Sequence, residues 1–234
     1  MAERARRLPE DALAIFAKAP VPGQVKTRLA PALTAEAAAA VYRCFLLDTL
    51  ALAGGVRRWK TLLFYTPEEA GQVMRAMVKR PLELIPQGGG VLGERMHLAF
   101  QQLFSRGHRV AVIIGGDLPT LPLSRLQEAF SALERKPVVL GPSLDGGYYL
   151  IGLQAPQPEL FEGMAWGSSR VLEQTVDRLT RLGLEAECLE PWYDVDSVED
   201  LRFLVSHLKL LLACGSTDLP RHTVDCLRQL GLLQ

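Results

Sequence analysis

Five short stretches of the chain carry residue types and spacings that could do chemistry. In the first, residues 18–31 (KAPVPGQVKTRLAP), Lys18, Lys26 and Arg28 sit on a turn stiffened by Pro20, Pro22 and Pro31. Three cations on a stiff turn suit a polyphosphate, because a guanidinium grips phosphate oxygens in pairs while an ammonium acts as a point charge. An ordinary solvated loop can carry the same charges. The stretch is neither a Walker A loop nor a G-x-G-x-x-G turn, so kinase, GTPase and dehydrogenase chemistry lose their main support.

In the second, residues 113–122 (IIGGDLPTLP), an apolar run delivers Asp117 behind two glycines. A carboxylate there can ligate a hard cation such as Mg²⁺ or Mn²⁺, which would bridge to substrate phosphates. It fits a helix cap or turn equally well. The third, residues 192–201 (WYDVDSVEDL), tips the balance. If 193–196 is extended, a period of two puts Asp194 and Asp196 on one face. Ser197 and Asp200 form a capping box for the following helix, with Asp in the place usual for Glu or Gln. That accounts for Ser197 and Asp200 but leaves Asp194 and Asp196 as a second source of metal ligands.

The fourth, residues 141–153 (GPSLDGGYYLIGL), offers Asp145 to orient or deprotonate an acceptor hydroxyl and Tyr148 to stack on a substrate ring. The same residues read as an Asp-Gly turn between strands. The fifth, residues 86–96 (PQGGGVLGERM), is a glycine-rich loop that could let a base lie against the backbone, with Gln87 at base edges and Arg95 near phosphate. Trp166 suits an acceptor-site wall or plain packing. The four histidines show no ligand spacing and receive no role.

Holding these stretches together requires a sheet. Strand patterns at 12–17, 60–65, 83–86, 109–114 and 137–141 alternate with helical patterns at 34–53, 67–79, 93–106 and 122–135. Such alternation predicts a parallel sheet with helices on both faces, and ligands of such sheets bind outside the strands' C-terminal ends. After Gly141 the rhythm changes. A strand at 147–153 lacks its own crossover helix; a helix at 168–182, a strand at 184–189, and helices at 197–212 and 218–230 follow. The expectation is a single domain over 1–234, three-layer α/β/α with a mainly parallel, mixed sheet, in which 207–234 is a helical C-terminal extension. Its apolar helices would cover the sheet or serve a homodimer interface.

Composition narrows the partners. Twenty-six basic residues balance 26 acidic ones, so wholesale nucleic-acid binding has little to run on. The N-terminal arginines are followed by Pro9, Glu10 and Asp11 where a signal peptide needs an apolar run. The stretch Leu201–Cys214 is too short to span a bilayer and carries Arg202, His207 and Lys209. Four scattered cysteines point to reduced, mostly buried thiols and a cytoplasmic setting.

The ordered set FAKAPVPGQVKTRL, QGGGVLGERM, GGDLPTLP, GPSLDGGYYLIGL, WGSS and YDVDSVEDL resembles a bacterial family, DUF2064-like, often labelled nucleotide-diphospho-sugar transferase or arsenosugar-biosynthesis-associated glycosyltransferase. The resemblance spans roughly residues 12–205. That family is similar to the phospholactate and molybdenum-cofactor guanylyltransferases of the GT-A-type fold. The resemblance implies Lys18, Lys26 and Arg28 in a nucleotide phosphate loop and Gln87 and Gly93 near the base. It also implies Asp117 as principal metal ligand, with Asp194 or Asp196 as the second. Many glycosyltransferases of this fold use an Asp-x-Asp pair; here the earlier position is Gly115, a pattern nearer the nucleotidyltransferases. Glycosyl transfer from a nucleotide-sugar to a small acceptor is the first expectation, with Lys26 and Asp145 catalytic. Nucleotidyl transfer to a phosphorylated acceptor is the second, and a non-catalytic nucleotide-binding protein the third.

Overall fold

A computed structural model gives the fold for residues 11–56, 58–78 and 81–234. The N-terminal arginines and the last residue of the helix expected at 67–79 lie outside the described residues. Seven strands form one sheet: β1 (Asp11–Lys18), β2 (Trp59–Thr66), β3 (Glu83–Pro86), β4 (Ala111–Gly115), β5 (Val138–Pro142), β6 (Tyr148–Leu153) and β7 (Ala186–Cys188), in the order β3-β2-β1-β4-β6-β5-β7. The β1–β2, β1–β4, β2–β3 and β5–β7 pairs are parallel, while β6 runs antiparallel to both β4 and β5. The missing crossover helix before β6 is the cause: a short turn can return the chain only antiparallel.

Central β1 is buried along nearly its whole length, as a strand covered on both faces must be. Leu13, Ile15 and Ala17 pack under α1 (Ala35–Gly54), α2 (Gly71–Met77) and α4 (Leu123–Ala132). Ala12 and Ala14 face α3 (Leu92–Ser105) and α5 (Val171–Leu182) on the other side. These are the three layers expected. The helix expected at 67–79 begins instead as a 3-10 turn at Glu68–Ala70, and the one expected from 168 starts three residues later.

The C-terminal helices do not cover the sheet. Leu201, Leu204 and Leu208 of α6 (Val198–Ala213) and Val224 and Leu227 of α7 (Arg221–Gln229) pack on the outer face of α1 and on Val25 and Leu29 of the first loop. Asp48 of α1 caps α7 from afar: its carboxylate accepts the amide hydrogens of His222 (3.0 Å) and Thr223 (2.7 Å) and the Thr223 hydroxyl (2.7 Å). These bonds satisfy donors that a helix start otherwise leaves open.

By length and composition α1 is apolar enough to cross a membrane, but 56% of its most apolar stretch is buried inside this fold. It is sandwiched between the sheet and α6–α7. The cysteines depart from expectation. Cys188 and Cys214, at the ends of β7 and α6, are exposed, and Cys44 and Cys226, inside α1 and α7, are half-buried.

Candidate active site

The cationic turn begins where β1 ends. Val21-Pro22-Gly23-Gln24 closes through a Gln24 N–H to Val21 carbonyl bond of 3.0 Å, with Gly23 at φ 75°. Pro then Gly at the centre is the type II pattern, which needs a positive φ at its third position. Lys26 itself adopts φ 48° and ψ 39°, a left-handed conformation that costs a non-glycine residue roughly 1–2 kcal/mol. What offsets that cost is the position of its ammonium. Lys26 donates to Asp117 Oδ2 at 2.7 Å and to Asp196 Oδ1, and only 5% of its side chain is exposed. It also lies 5.5 Å from the ring centre of Tyr42, a cation–π contact. Burial alone would lower the ammonium's pKa, but the charges of Asp117 and Asp196 outweigh it and hold Lys26 above the ordinary lysine range.

The carboxylates arrive from two places: the end of the middle strand β4 and the segment that follows the edge strand β7. Gly115 and Gly116 end β4, and their small size serves internal packing. A Cβ on Gly115 would stand 2.6 Å from Asp117 Oδ1, and one on Gly116 would stand 2.9 Å from Leu46. From the other side Tyr193 and Val195 point into the core, which turns Asp194 and Asp196 together toward Asp117. Asp200 locks this segment by accepting the amide hydrogens of Asp196 (3.0 Å) and Ser197 (2.7 Å), completing the expected capping box. One oxygen each from Asp117, Asp194 and Asp196 lie within 4.8 Å of one another.

Their electrostatics are divided. Burial, then repulsion from Asp117, Asp196 and Asp145, pushes Asp194 up to about 6; its Oδ1 accepts the Ser143 hydroxyl at 3.0 Å. Burial also raises Asp196, but the Lys26 charge and hydrogen bond, helped by Arg28 and Lys18, bring it below the usual range. Three carboxylates and one ammonium leave two negative charges when all are ionised. Oxygen donors of this kind suit Mg²⁺ or Mn²⁺, so the set fits a hard divalent cation in donor chemistry and charge.

A carboxyl whose folded pKa lies above its unfolded value contributes stability below about pH 4 and loses it as pH rises through about 6. In EDTA, Asp194→Asn should therefore match the native melting temperature at pH 4 and exceed it at pH 7. The expected gain is about 2–4 °C for each kcal/mol recovered. A pH-independent difference between the two melting series would contradict the electrostatic origin.

The site opens into two cavities that share part of their lining. One, of about 810 Å³, is lined by Lys18, Lys26, Arg28 and Arg95. The other, of about 460 Å³, is lined by Asp145, Ser143, Tyr148 and Ser168. Asp117, Asp196, Arg28 and Trp166 border both.

Several expected residues are placed differently from the sequence reading. Lys26, expected at phosphates, is bound to carboxylates. Gln87 does not offer its amide to a ligand: its Nε2 donates to Ala17 O (3.3 Å) and Phe64 O (2.9 Å), while its Oε1 accepts from Arg95 (3.2 Å). Thus Gln87 ties the ends of β1 and β2 and aims Arg95. Gly93 leaves room for a neighbouring side chain, since a Cβ there would stand 2.3 Å from Trp166 Nε1. Trp166 is both wall and packing: it meets Tyr148 edge-on at 6.4 Å, stacks on Phe161 at 6.5 Å and borders both cavities. Asp145 does form the turn, accepting the Gly147 amide hydrogen at 2.9 Å, yet it also lines the smaller cavity.

Tyr42 escaped the sequence reading. Its hydroxyl accepts the Lys18 amide hydrogen at 3.0 Å beneath the cationic turn, and no local signal marks a helix tyrosine for that role. Gly93→Ala should displace Trp166 and cost about 1–3 kcal/mol of stability by overpacking. A shift in tryptophan emission together with a lowered melting temperature would show it; unchanged emission would count against the contact.

The profile of the bacterial family DUF2064, described as an uncharacterized protein conserved in bacteria, matches residues 49–168. The crystal structure of a Desulfovibrio desulfuricans G20 protein, provisionally named a nucleotide-diphospho-sugar transferase, superposes with a TM-score of 0.83 at 35% identity, covering 94% of this chain and 98% of that one. A cytidylyltransferase from Leptospira borgpetersenii serovar Hardjo-bovis (strain JB197) gives 0.58 at 12% identity, covering 95% of each chain. The 4-diphosphocytidyl-2C-methyl-D-erythritol synthase of Anaerococcus prevotii DSM 20548 gives 0.55 at 10%, covering 86% and 99%. The last two share the fold; the Desulfovibrio likeness and the profile match together make this chain a member of the DUF2064 family.

Proposed function

We propose that the protein is a metal-dependent transferase that moves a glycosyl group from a nucleotide-sugar to a small acceptor. The observation that carries this reading is the Asp117–Asp194–Asp196 cluster, of which Asp117 and Asp196 stand on the border between a cationic and an acidic cavity and Asp194 lines the acidic one. The cationic cavity suits the nucleoside diphosphate, with Lys18 and Arg28 on its phosphates and Arg95, held by Gln87, beside the base or ribose. The provisional name of the Desulfovibrio relative points the same way. Asp117, Asp194 and Asp196 would hold Mg²⁺ or Mn²⁺, which when bound supplies Lewis-acid relief of the charge on a departing diphosphate.

In the reaction an acceptor hydroxyl oxygen bonds to the anomeric carbon. The bond from that carbon to the diphosphate oxygen breaks, its electron pair leaving on the nucleoside diphosphate. The hydroxyl proton passes to Asp145, whose Oδ2 is not used by the turn that occupies Oδ1. Lys26, once drawn from the carboxylates by phosphate, shares the leaving group's charge.

A nucleotidyl-transfer reading draws on Gly115. The space where an Asp-x-Asp pair would put its first side chain is taken up by Asp117. In that reaction a phosphorylated acceptor attacks the α-phosphate and pyrophosphate leaves. A thermal-shift panel of nucleotides and nucleotide-sugars with and without Mn²⁺ identifies the donor, since preferential binding raises the melting temperature. Product analysis then separates the reactions: free nucleoside diphosphate supports glycosyl transfer and pyrophosphate the alternative. If no nucleotide shifts the melting curve with or without Mn²⁺, the proposal fails.

A further inference from the structure

The two cavities differ in sign, and the difference bears on the acceptor. Four cations, Lys18, Lys26, Arg28 and Arg95, line the larger one against the two carboxylates on the shared border, Asp117 and Asp196. Among the described residues the smaller one is lined by four carboxylates, Asp117, Asp145, Asp194 and Asp196, against a single cation, Arg28, which stands on the shared border. Its other polar groups are the hydroxyl residues Ser143, Ser168 and Ser169 and the tyrosines. Phe16, Ile113 and Ile151, from the adjacent strands β1, β4 and β6, supply an apolar wall with Met96.

The start of α5 borders this cavity, and a helix start can bind anions through free amide hydrogens. Much of that capacity is already used. The amides of Ser168, Arg170 and Leu172 donate to Ala165 O (3.1 Å), Ser168 Oγ (3.3 Å) and Gly146 O (2.9 Å). The Arg170 guanidinium is turned to Glu173. A phosphate in this cavity would meet Asp145 without a dedicated cation. A bound divalent ion would cancel the two net charges of the Asp117–Asp194–Asp196–Lys26 group, but Asp145 and the donor's own diphosphate would remain.

We infer that the cavity of about 460 Å³ takes an unphosphorylated acceptor, neutral or cationic, that presents a hydroxyl to Asp145 and an apolar face to Phe16, Ile113 and Ile151. This rests on the transferase reading for the word acceptor, but the sign of the cavity stands apart from it. It also separates the two reactions proposed above, because nucleotidyl transfer to a phosphate monoester needs an anion-binding acceptor site.

Two measurements test it. In a background with the four native cysteines changed to serine, Ser168→Cys is labelled with a trimethylammonium-ethyl and a sulfonatoethyl methanethiosulfonate, with Cys188 alone in the same background as the exposed reference. The ratio of cationic to anionic rates at position 168 is expected to exceed the reference ratio about tenfold or more, and Asp145→Asn to reduce it. A ratio equal to the reference or favouring the anionic reagent overturns the inference, whether or not any nucleotide binds. The second measurement uses the intact enzyme with Mn²⁺ and the donor identified by thermal shift, offered glucose, glucosamine and glucose 6-phosphate together. Transfer to glucose or glucosamine at least tenfold above glucose 6-phosphate supports the inference, while preference for the phosphate ester overturns it. If none of the three is glycosylated, the labelling ratio decides. Failure to bind any donor would sink the transferase reading and leave the labelling result to judge the cavity.

Discussion

Lys26→Met should bind Mn²⁺ about tenfold or more tightly than the native protein when no nucleotide is present. The ammonium holds Asp117 and Asp196, two of the three carboxylates that suit a divalent ion. Metal entry in the native protein must break both contacts and move a side chain that is only 5% exposed. Tenfold corresponds to about 1.4 kcal/mol, well within what two charge-assisted hydrogen bonds contribute. A nucleotide's phosphates offer Lys26 another partner in the larger cavity, so in the native protein nucleotide and metal should each strengthen the other's binding by the same factor. In Lys26→Met that reciprocity should shrink towards one. Without metal, the variant leaves three carboxylates unneutralised, so it should melt below the native protein in EDTA and recover with Mn²⁺. Calorimetric titration of Mn²⁺ with and without the donor nucleotide measures both quantities. Equal or weaker Mn²⁺ binding by the variant would mean that Lys26 does not compete for the site.

The contrast between Lys26 and its neighbours shows which parts of the site a sequence can display. The Pro22–Gly23 turn, the Ser197–Asp200 capping box and the alternation that turns Asp194 and Asp196 one way are all local. Each is written within four or five residues, and the structure agrees with all three. The antiparallel β6 was legible too, as a strand with no crossover helix in front of it. Lys26 reaches its partners across 91 and 170 positions, and nothing near Lys26 distinguishes a lysine that will meet phosphate from one that will meet carboxylates. The packing roles of Gln87 and Gly93 are hidden for a related reason. An amide and a missing side chain suit a ligand and a neighbouring backbone or indole equally well, and only the packing of β1, β2 and Trp166 chooses.

The carboxylates should behave non-additively, and this separates a functional cluster from an ordinary ion pair. Asp117→Ala should lower metal-dependent turnover about a thousandfold, or roughly 4 kcal/mol, the scale of a lost metal contribution to transition-state charge. Its fold should survive, because Lys26 keeps Asp196. Asp196→Ala should do the same, with Lys26 keeping Asp117 at 2.7 Å. The double variant is different. It removes both hydrogen-bond partners of an ammonium that is nearly inaccessible to water, leaving Asp194 as a more distant counter-charge, and breaking a buried pair costs up to about 3–5 kcal/mol. Its loss of stability should therefore exceed the sum of the two single losses, and adding Lys26→Met should restore much of it without restoring turnover. Denaturant unfolding of the singles, the double and the triple variant reads the stability cycle, and donor turnover reads the function. If the double variant's loss were merely the sum, the ammonium could find water or another partner, and the bridge would be a surface contact. If either single variant kept native turnover, its carboxylate would not belong to the catalytic metal site.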